Sequence, residues 1–374
     1  MTPSMQPVLQ IIHVSDMHVV ATRHPAAQVA RRLRRLAARL KIQPLVNKLD
    51  DGLAPHDTFA PIMFREFIER IAVADPIWSK RPTWVIDTGD QTTFGDDASL
   101  FDARAHLASF ASATGQTVGN NGLTNIYGNH DAWPEDLPLG AAARIAAHRA
   151  KLENAPHGFA VEQAQSPFRA TVLANGADIQ LFTIDTVNDD SWSNTWAKGS
   201  VSDTQLDDLQ RAVLAWSTDG KRHLRILATH HPIHFPPPRP NLTMSVENDD
   251  HIGTRLSNAT PSVHVVVSGH THALYPAHGS LPPHARLCPH DHLGRDQCQL
   301  VVGTLMQLDA LNQRGDHPHQ CQVLRFYQDP NDGRQVVVER HLAARNPYAS
   351  QPRFEYDFVR FPNGRSAEEI VLSL

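Results

Sequence analysis

A carboxylate and an imidazole, Asp16 and His18, lie two positions apart directly after the apolar run Ile11-Ile12-His13-Val14. This run is typical of a buried strand in a parallel sheet, in which apolar residues follow one another without alternation. Because residues i and i+2 at the end of a strand point the same way, Asp16 and His18 can bind one metal ion. The chain contains 23 histidines, so a single Asp-x-His match arises easily by chance and predicts little alone.

Four further strand-like segments end in polar turns of the same chemical type. In chain order they present Asp90, Asn129 with His130, His230, and His270 with His272. In open α/β sheets, ligands bind beyond the carboxyl ends of the strands, where all of these side chains fall. Carboxylate, amide oxygen and imidazole suit zinc, manganese or iron. The candidates are too many for one ion, so they predict two metal ions about 3.5–4 Å apart, an arrangement that hydrolyses phosphate esters.

The segments that must position these residues alternate between apolar strands and amphipathic helices, which predicts an α/β fold. Strands are predicted over residues 83–88, 125–127, 224–229 and 263–268, and helices over residues 60–74, 100–113, 141–152 and 202–216. Ser202 and Gln205 have the spacing of a capping box at the start of the last helix. A hairpin is predicted over residues 168–185, and antiparallel strands over residues 299–302, 322–327 and 336–341.

The composition is that of an ordinary globular protein, with 374 residues, of which 41% are hydrophobic and 20% are charged. The net charge of −5 does not favour nucleic-acid binding. Cys288, Cys298 and Cys321 are too few for a disulfide framework, so we expect reduced thiols, with a Cys288–Cys298 bridge as the alternative. No segment resembles a signal peptide or is long and apolar enough to span a membrane, which predicts a cytoplasmic location.

The five motifs together resemble those of the calcineurin-like metallophosphoesterases. In chain order they are Asp16-Met17-His18, Gly89-Asp90, Gly128-Asn129-His130-Asp131, His230-His231-Pro232 and Gly269-His270-Thr271-His272. The resemblance implies a four-layer α/β sandwich in which two central mixed sheets are flanked by helices and the metal site lies at the carboxyl ends of strands. We expect a single domain over residues 1–345, with an insertion over residues 21–57 and a C-terminal tail over residues 346–374.

The resemblance also implies a role for each motif residue. Asp16, His18 and His272 would bind one metal ion, Asn129, His230 and His270 would bind the other, and Asp90 would bridge the two. His130 would be a catalytic histidine that binds no metal and is held by Asp131. In the family the first histidine of the fourth motif is the ligand, so His231 is expected to support the site.

The implied activity is hydrolysis of a small-molecule phosphate ester by a hydroxide that two manganese, iron or zinc ions activate. In motif style the chain is most similar to the bacterial cyclic-nucleotide and glycerophosphodiester phosphodiesterases, so we expect a phosphodiester substrate. Tyr127 and Asp131 stand where the protein-phosphatase branch has arginine and glutamate, which disfavours a phosphoprotein phosphatase. A phosphomonoesterase of the same fold, a metal-binding scaffold without activity and a histidine-rich metal store are the alternatives, and the sequence predicts no oligomeric state.

The insertion over residues 21–57 contains a basic amphipathic segment. Val29, Leu33, Leu36 and Leu40 fall on one helical face, and five arginines occupy most of the rest. Such a helix can lie on an anionic membrane, cap the site and contact the substrate, or simply expose its arginines to solvent.

Overall fold

In a computed structural model of the protein, two β-sheets pack face to face and helices cover their outer faces. The structure describes residues 5–21, 60–93, 95–115, 123–132, 168–171, 176–187, 199–233, 249–258, 261–271, 297–306, 320–345, 356–359 and 366–374, together with residues 33, 36, 39, 40, 173 and 246. Among these residues, no helix is both long enough and apolar enough to cross a membrane.

The described elements alternate between strands and helices through most of the chain. The strands are β1 (Gln6–Val14), β2 (Thr83–Asp87), β3 (Leu123–Asn125), β4 (Phe168–Thr171), β5 (Asp178–Thr183), β6 (Leu224–Ala228), β7 (Val265–Ser268), β8 (Cys298–Val301), β9 (Gln320–Asp329), β10 (Asp332–Arg345), β11 (Tyr356–Val359) and β12 (Glu368–Ser373). The α-helices are α1 (Ala60–Ile68), α2 (Asp97–Ala113), α3 (Asn129–Ala132), α4 (Asp203–Ala215) and α5 (Asp249–Asn258).

Both sheets are mixed. Sheet 1 has the order β11-β10-β9-β1-β2-β3, with β12 also paired to β10, and its β1, β2 and β3 are parallel to one another. Sheet 2 has the order β4-β5-β6-β7-β8, in which only the edge strand β4 is antiparallel to its neighbour. The five motifs follow β1, β2 and β3 of sheet 1 and β6 and β7 of sheet 2. Because these strands are parallel within each sheet, their carboxyl ends lie at one edge of that sheet.

Three apolar clusters separate the four layers. The first lies between the sheets and contains Ile11 of β1 and Ile226 of β6. The second packs Ile12 of β1 against Phe64 and Phe110 of helices α1 and α2, and the third packs sheet 2 against α4 and α5. Because neighbouring residues of β1 face opposite sides, this strand is buried on both faces, as its unbroken apolar sequence predicts. The predicted four-layer α/β sandwich is confirmed.

Local sequence signals predicted some elements better than others. The capping box is present: Ser202 accepts a hydrogen bond from the backbone N–H of Gln205, whose side chain accepts one from the N–H of Ser202. The helix predicted over residues 60–74 ends its α-helical part at Ile68 and continues as a π-helix to Val73. Helix α5 and strands β11 and β12 were not predicted, and the helix predicted over residues 141–152 lies outside the described residues.

The basic insertion is described at only a few positions. Residues 33, 36 and 39 are helical, and the N–H of Leu40 donates to the carbonyl of Leu36 at 2.9 Å. Leu33, Leu36 and Leu40 are all exposed. The role of this insertion as a cap stays a prediction.

A buried polar network crosses the space between the sheets below the carboxyl end of β1. Nε2 of His13 lies 2.9 Å from Oγ1 of Thr88, and Nδ1 lies 2.5 Å from Nε2 of Gln322. Nε of Arg340 donates to Oε1 of Gln322 at 2.6 Å, and its Nη2 donates to the carbonyl of Val301 at 2.7 Å. Burial, followed by the charge of Arg340, lowers the pKa of His13 from 6.5 to about 3.

We therefore expect His13 to make the fold sensitive to acid. Below pH 6.5 an unfolded chain protonates this histidine, whereas the folded chain does so only near pH 3, so stability is lost progressively as the pH falls through that window. The loss attributable to His13 is on the order of 4–5 kcal/mol. Denaturant unfolding at several pH values should show that the free energy of unfolding falls less steeply with decreasing pH for His13→Gln than for the wild type. His251→Gln, at an exposed histidine, should keep the steeper wild-type dependence, and equal slopes for all three proteins would contradict this account.

Candidate metal centre

The polar turns after the parallel strands have an unusual backbone. Among the described residues, the non-glycine residues with positive φ are Asp16 at 53°, His18 at 48°, Asp90 at 51° and His270 at 67°. Each such conformation costs on the order of 1–3 kcal/mol and persists only where the surrounding structure imposes it. All four residues are predicted metal ligands, so backbone strain is concentrated on the residues that the motifs single out.

Backbone hydrogen bonds join the first two turns side by side. The N–H groups of Asp16 and His18 donate to the carbonyls of Gly89 and Asp90, each at 2.9 Å. In sheet 2, the N–H of Gly269 donates to the carbonyl of His230 at 3.1 Å, which joins the turns after β6 and β7 in the same way. The two sheets also meet here, because the N–H of His270 donates to Oδ2 of Asp16 at 2.9 Å.

Gly128 permits a close approach to Asp90. A Cβ atom at Gly128 would lie 2.0 Å from Oδ1 of Asp90, although Gly128 itself has no positive φ. Gly128→Ala should therefore displace this carboxylate and weaken metal binding by at least about 10-fold, measured by titration of the metal-free protein. The matched control is Gly220→Ala, where a Cβ would meet nothing within 4 Å and only the φ of +71° is unfavourable. If both variants bound metal like the wild type, the close approach of Gly128 to Asp90 would play no part in metal binding.

The side chains of these turns converge on Asp90. Its Oδ2 lies 3.4 Å from Nε2 of His230 and 3.8 Å from Nε2 of His18, and its Oδ1 accepts the backbone N–H of His130 at 2.9 Å. Nε2 of His230 also lies 3.0 Å from Oδ1 of Asn129 and 3.1 Å from Nδ1 of His270. At metal–ligand distances of about 2.0–2.2 Å, neighbouring ligand atoms lie roughly 3–3.5 Å apart, so these separations suit a coordinated cation.

Among the described residues, potential ligand atoms fall into three groups in which all members lie within 4.8 Å of one another. The groups are His18, Asp90 and His130; Asp16, Asp90 and His230; and His230, His231 and His270. Asp90 belongs to two of them, and its Oδ2 is buried yet accepts no hydrogen bond within the described structure. A buried carboxylate oxygen without a hydrogen-bond donor is costly unless a cation lies beside it. The residues therefore fit a bound divalent metal ion.

The electrostatics of Asp90 and His230 describe the site before a metal binds. Burial opposes a charge on either group, but their mutual attraction outweighs it: the pKa of Asp90 falls well below its usual value, and that of His230 rises to about 9. Nδ1 of His230 donates to the carbonyl of Thr88 at 2.7 Å, which aims Nε2 at the carboxylate. A cation that binds at this nitrogen must displace its proton, so metal binding is favoured by raising the pH toward 9.

Asp131 has a different partner from the one that the resemblance implied. Its carboxylate accepts hydrogen bonds from the N–H groups of Gln91, Thr92 and Gly128 and from the hydroxyl of Thr92, at 2.9–3.1 Å. The carboxylate therefore holds the Asp90 turn rather than the ring of His130. Nδ1 of His130 instead lies 3.0 Å from the carbonyl of Thr93. Burial and the charge of Asp90 raise the pKa of Asp131 to about 7, although the three N–H donors oppose the rise.

The structure brings together His130 and all but one of the predicted metal ligands. Asp16, His18, Asp90, Asn129, His130, His230 and His270 lie together, whereas His272 lies outside the described residues. Thr186, after β5, was not predicted: its hydroxyl lies 2.8 Å from Nδ1 of His231. The sequence signal that could have found it is the polar end of that strand, Asp185-Thr186. Oδ1 of Asp185 accepts the N–H of Val187, a turn contact.

Comparison with known proteins identifies the family. A family model described as calcineurin-like phosphoesterase matches residues 9–274, more than half of the chain. The chain belongs to the calcineurin-like phosphoesterase family. All of its predicted metal-binding motifs lie within the matched range. No curated protein matches the chain.

Several solved structures resemble this family member weakly. A putative 5′-nucleotidase from Staphylococcus aureus, in complex with alpha-ketoglutarate, is 12% identical at a TM-score of 0.40, over 98% of this chain and 54% of its own. GAP50 of Plasmodium, described as the anchor in the inner membrane complex, is 10% identical at a TM-score of 0.43, over 99% of this chain and 90% of its own. The sulfate thiohydrolase SoxB from Thermus thermophilus, in complex with glycerol, is 10% identical at a TM-score of 0.39, over 98% of this chain and 56% of its own. The chain thus spans little more than half of the first and third of these proteins, and their substrates do not transfer to it.

Proposed function

We propose that the protein hydrolyses a phosphodiester with two metal ions bridged by Asp90. The observation that carries the proposal is the position of Asp90, whose buried carboxylate belongs to two groups of potential ligands. Asp16, His18 and His272 would hold one ion, and Asn129, His230 and His270 the other. When bound, manganese, iron or zinc would supply the Lewis acidity that stabilises a charged phosphoryl group and lowers the pKa of water.

The protein's own residues would move a proton and hold the turn that carries Asp90. The carbonyl of Thr93 holds the Nδ1–H of His130, so that Nε2 of this histidine is the atom that can pass a proton to the leaving oxygen. The ring of His130 packs edge-on against that of His18, with centroids 4.8 Å apart, and this contact supports a role for His130 next to a proposed ligand of the first ion. The carboxylate of Asp131 fixes the turn that carries Asp90. No phosphorylated side chain is required, because the motifs contain no serine or cysteine nucleophile.

A diester substrate is supported by the motifs that depart from the protein-phosphatase branch, at Tyr127 and Asp131. The test compares bis(p-nitrophenyl) phosphate with p-nitrophenyl phosphate on protein loaded separately with manganese, zinc and iron. We expect kcat/KM at least about 10-fold higher for the diester with the best metal, a difference of about 1.4 kcal/mol in transition-state stabilisation. A preference for the monoester would make the protein a phosphomonoesterase of the same fold. Bound metal without hydrolysis of either compound would favour a scaffold.

A further inference from the structure

His231 is a buried histidine to which the proposed mechanism assigns no role. It follows His230 directly, and its side chain is 1% exposed. Its ring lies against both neighbouring histidines, with centroids 4.8 Å from His230 and 4.2 Å from His270. Within the described structure, Nε2 of His231 has no hydrogen-bond partner. A buried imidazole nitrogen without a partner is costly, which indicates that a group outside the described residues completes its environment.

Contacts on the other side of the ring fix its orientation. Thr186 Oγ1 lies 2.8 Å from Nδ1 and also accepts the backbone N–H of His231 at 3.1 Å. Gly199 lies over the same edge, where a Cβ atom would be 2.6 Å from Cγ and 2.7 Å from Nδ1. A side chain at residue 199 would therefore force the ring to move. Nε2 is at the far end of the ring from these contacts.

The same contacts indicate which nitrogen carries hydrogen. The hydroxyl of Thr186 has one hydrogen, and within the described structure the acceptor in reach of it is Nδ1 of His231. If the hydroxyl donates to Nδ1, then Nε2 carries the ring hydrogen of the neutral imidazole. An imidazolium would carry hydrogen at Nε2 as well. The remaining form, with hydrogen only on Nδ1, would leave the buried hydroxyl hydrogen of Thr186 without an acceptor.

A nitrogen that carries hydrogen cannot ligate a metal ion, but it can donate to an anionic oxygen. We propose that Nε2–H of His231 donates a hydrogen bond to a phosphoryl oxygen of the bound substrate, which makes His231 a substrate-binding residue. This inference rests on the proposed function, because it takes the anion at the site to be a phosphate ester. It differs from the grouping of His231 with His230 and His270 as a third metal ligand. Thr186 becomes a positioning residue that holds the donor form of the ring.

The test measures binding of inorganic phosphate to manganese-loaded protein by calorimetry, together with manganese per chain. His231→Leu should leave the manganese content unchanged and weaken phosphate binding by about 10- to 100-fold, the usual effect of one hydrogen bond to a charged group. His231→Gln, whose side-chain amide can place an N–H near the position of Nε2, should recover most of the affinity. Thr186→Val should weaken binding to a smaller extent, because the ring is then free to adopt the other tautomer.

The matched control is His223→Gln. His223 is equally buried, at 1% exposure, but precedes β6, whereas His231 follows it, so it lies at the opposite end of the same strand. It should bind phosphate and manganese like the wild type. A fall in manganese content for His231→Leu would make His231 a ligand, and unchanged phosphate affinity would make it structural. Either result overturns the proposal.

A second measurement requires no variant to fold. Nitrogen-detected NMR of the histidine rings in the metal-free wild type should show hydrogen on Nε2 of His231, with its signal assigned by proximity to Thr186. Hydrogen on Nδ1 alone would overturn the proposal. Neither phosphate binding nor the NMR measurement depends on turnover. Failure to hydrolyse any ester would therefore contradict the proposed function, whereas these two measurements test the role of His231 independently.

Discussion

Asp90→Ala should abolish phosphoester hydrolysis and lower the bound metal below two ions per chain. Asp90 supplies the carboxylate that lies 3.4 Å from Nε2 of His230 and 3.8 Å from Nε2 of His18, so its loss removes a ligand from both proposed ions. The same change removes the acceptor for the backbone N–H of His130. We expect kcat to fall by at least about 10⁴-fold, since both the metal centre and the position of His130 depend on this one side chain.

Asp96→Ala is the matched control for this prediction. Asp96 is also buried and lies six residues later in the chain, but its side chain caps helix α2 by accepting the N–H of Ser99. Its loss should cost about 1 kcal/mol of stability and leave both metal content and kcat near the wild-type values. Full occupancy by two ions in Asp90→Ala would contradict the assignment of Asp90 as the bridging ligand.

His130→Ala should have the opposite combination of effects: full metal content and a large loss of turnover. The ring is held by the carbonyl of Thr93 and stands edge-on to His18, where it can pass a proton without ligating a metal. A positioned proton donor is worth roughly 10²–10⁴ in rate, so kcat should fall by that factor on an alkyl diester. The loss of rate should be smaller on an aryl diester such as bis(p-nitrophenyl) phosphate, because p-nitrophenolate is a good leaving group and depends less on protonation of the leaving oxygen.

The control for His130→Ala is His106→Ala on helix α2, where a half-buried histidine lies outside the groups of potential ligands. It should keep the wild-type kcat on both substrates. Two outcomes would contradict the role of His130. Loss of metal would make it a ligand, and an equal loss of rate on alkyl and aryl diesters would exclude proton donation to the leaving oxygen.

The site was predictable from the sequence because its residues lie in local motifs. Each ligand follows an apolar strand by one to four residues, and parallel strands place their carboxyl ends at a common edge. Asp16, Asp90, His230 and His270 therefore come together as the motifs predict. Their left-handed backbone was not predicted, because φ depends on hydrogen bonds between turns from different strands rather than on residue type.

Contacts between distant segments account for the rest of what the sequence did not show. Asp131 was expected beside His130, its neighbour in the chain, but it accepts from the turn at residues 91–92 that β2 brings close. Thr186 acts on His231 across 45 positions of sequence. Helix α5 was missed because only Ile252 and Leu256 supply its buried apolar face, too short a repeat to predict a helix. Strands β11 and β12 were not predicted because each is defined by its pairing with β10, a contact with another segment of the chain that local sequence does not reveal.

The most direct test of the two-metal proposal is a manganese titration of metal-free protein in which bound ions per chain and hydrolysis of bis(p-nitrophenyl) phosphate are measured in the same samples. We expect little activity with up to one ion per chain, a steep rise as the second ion binds, and a plateau at two. Full activity with a single ion, or two bound ions without hydrolysis, would contradict a catalytic centre in which Asp90 bridges two metals.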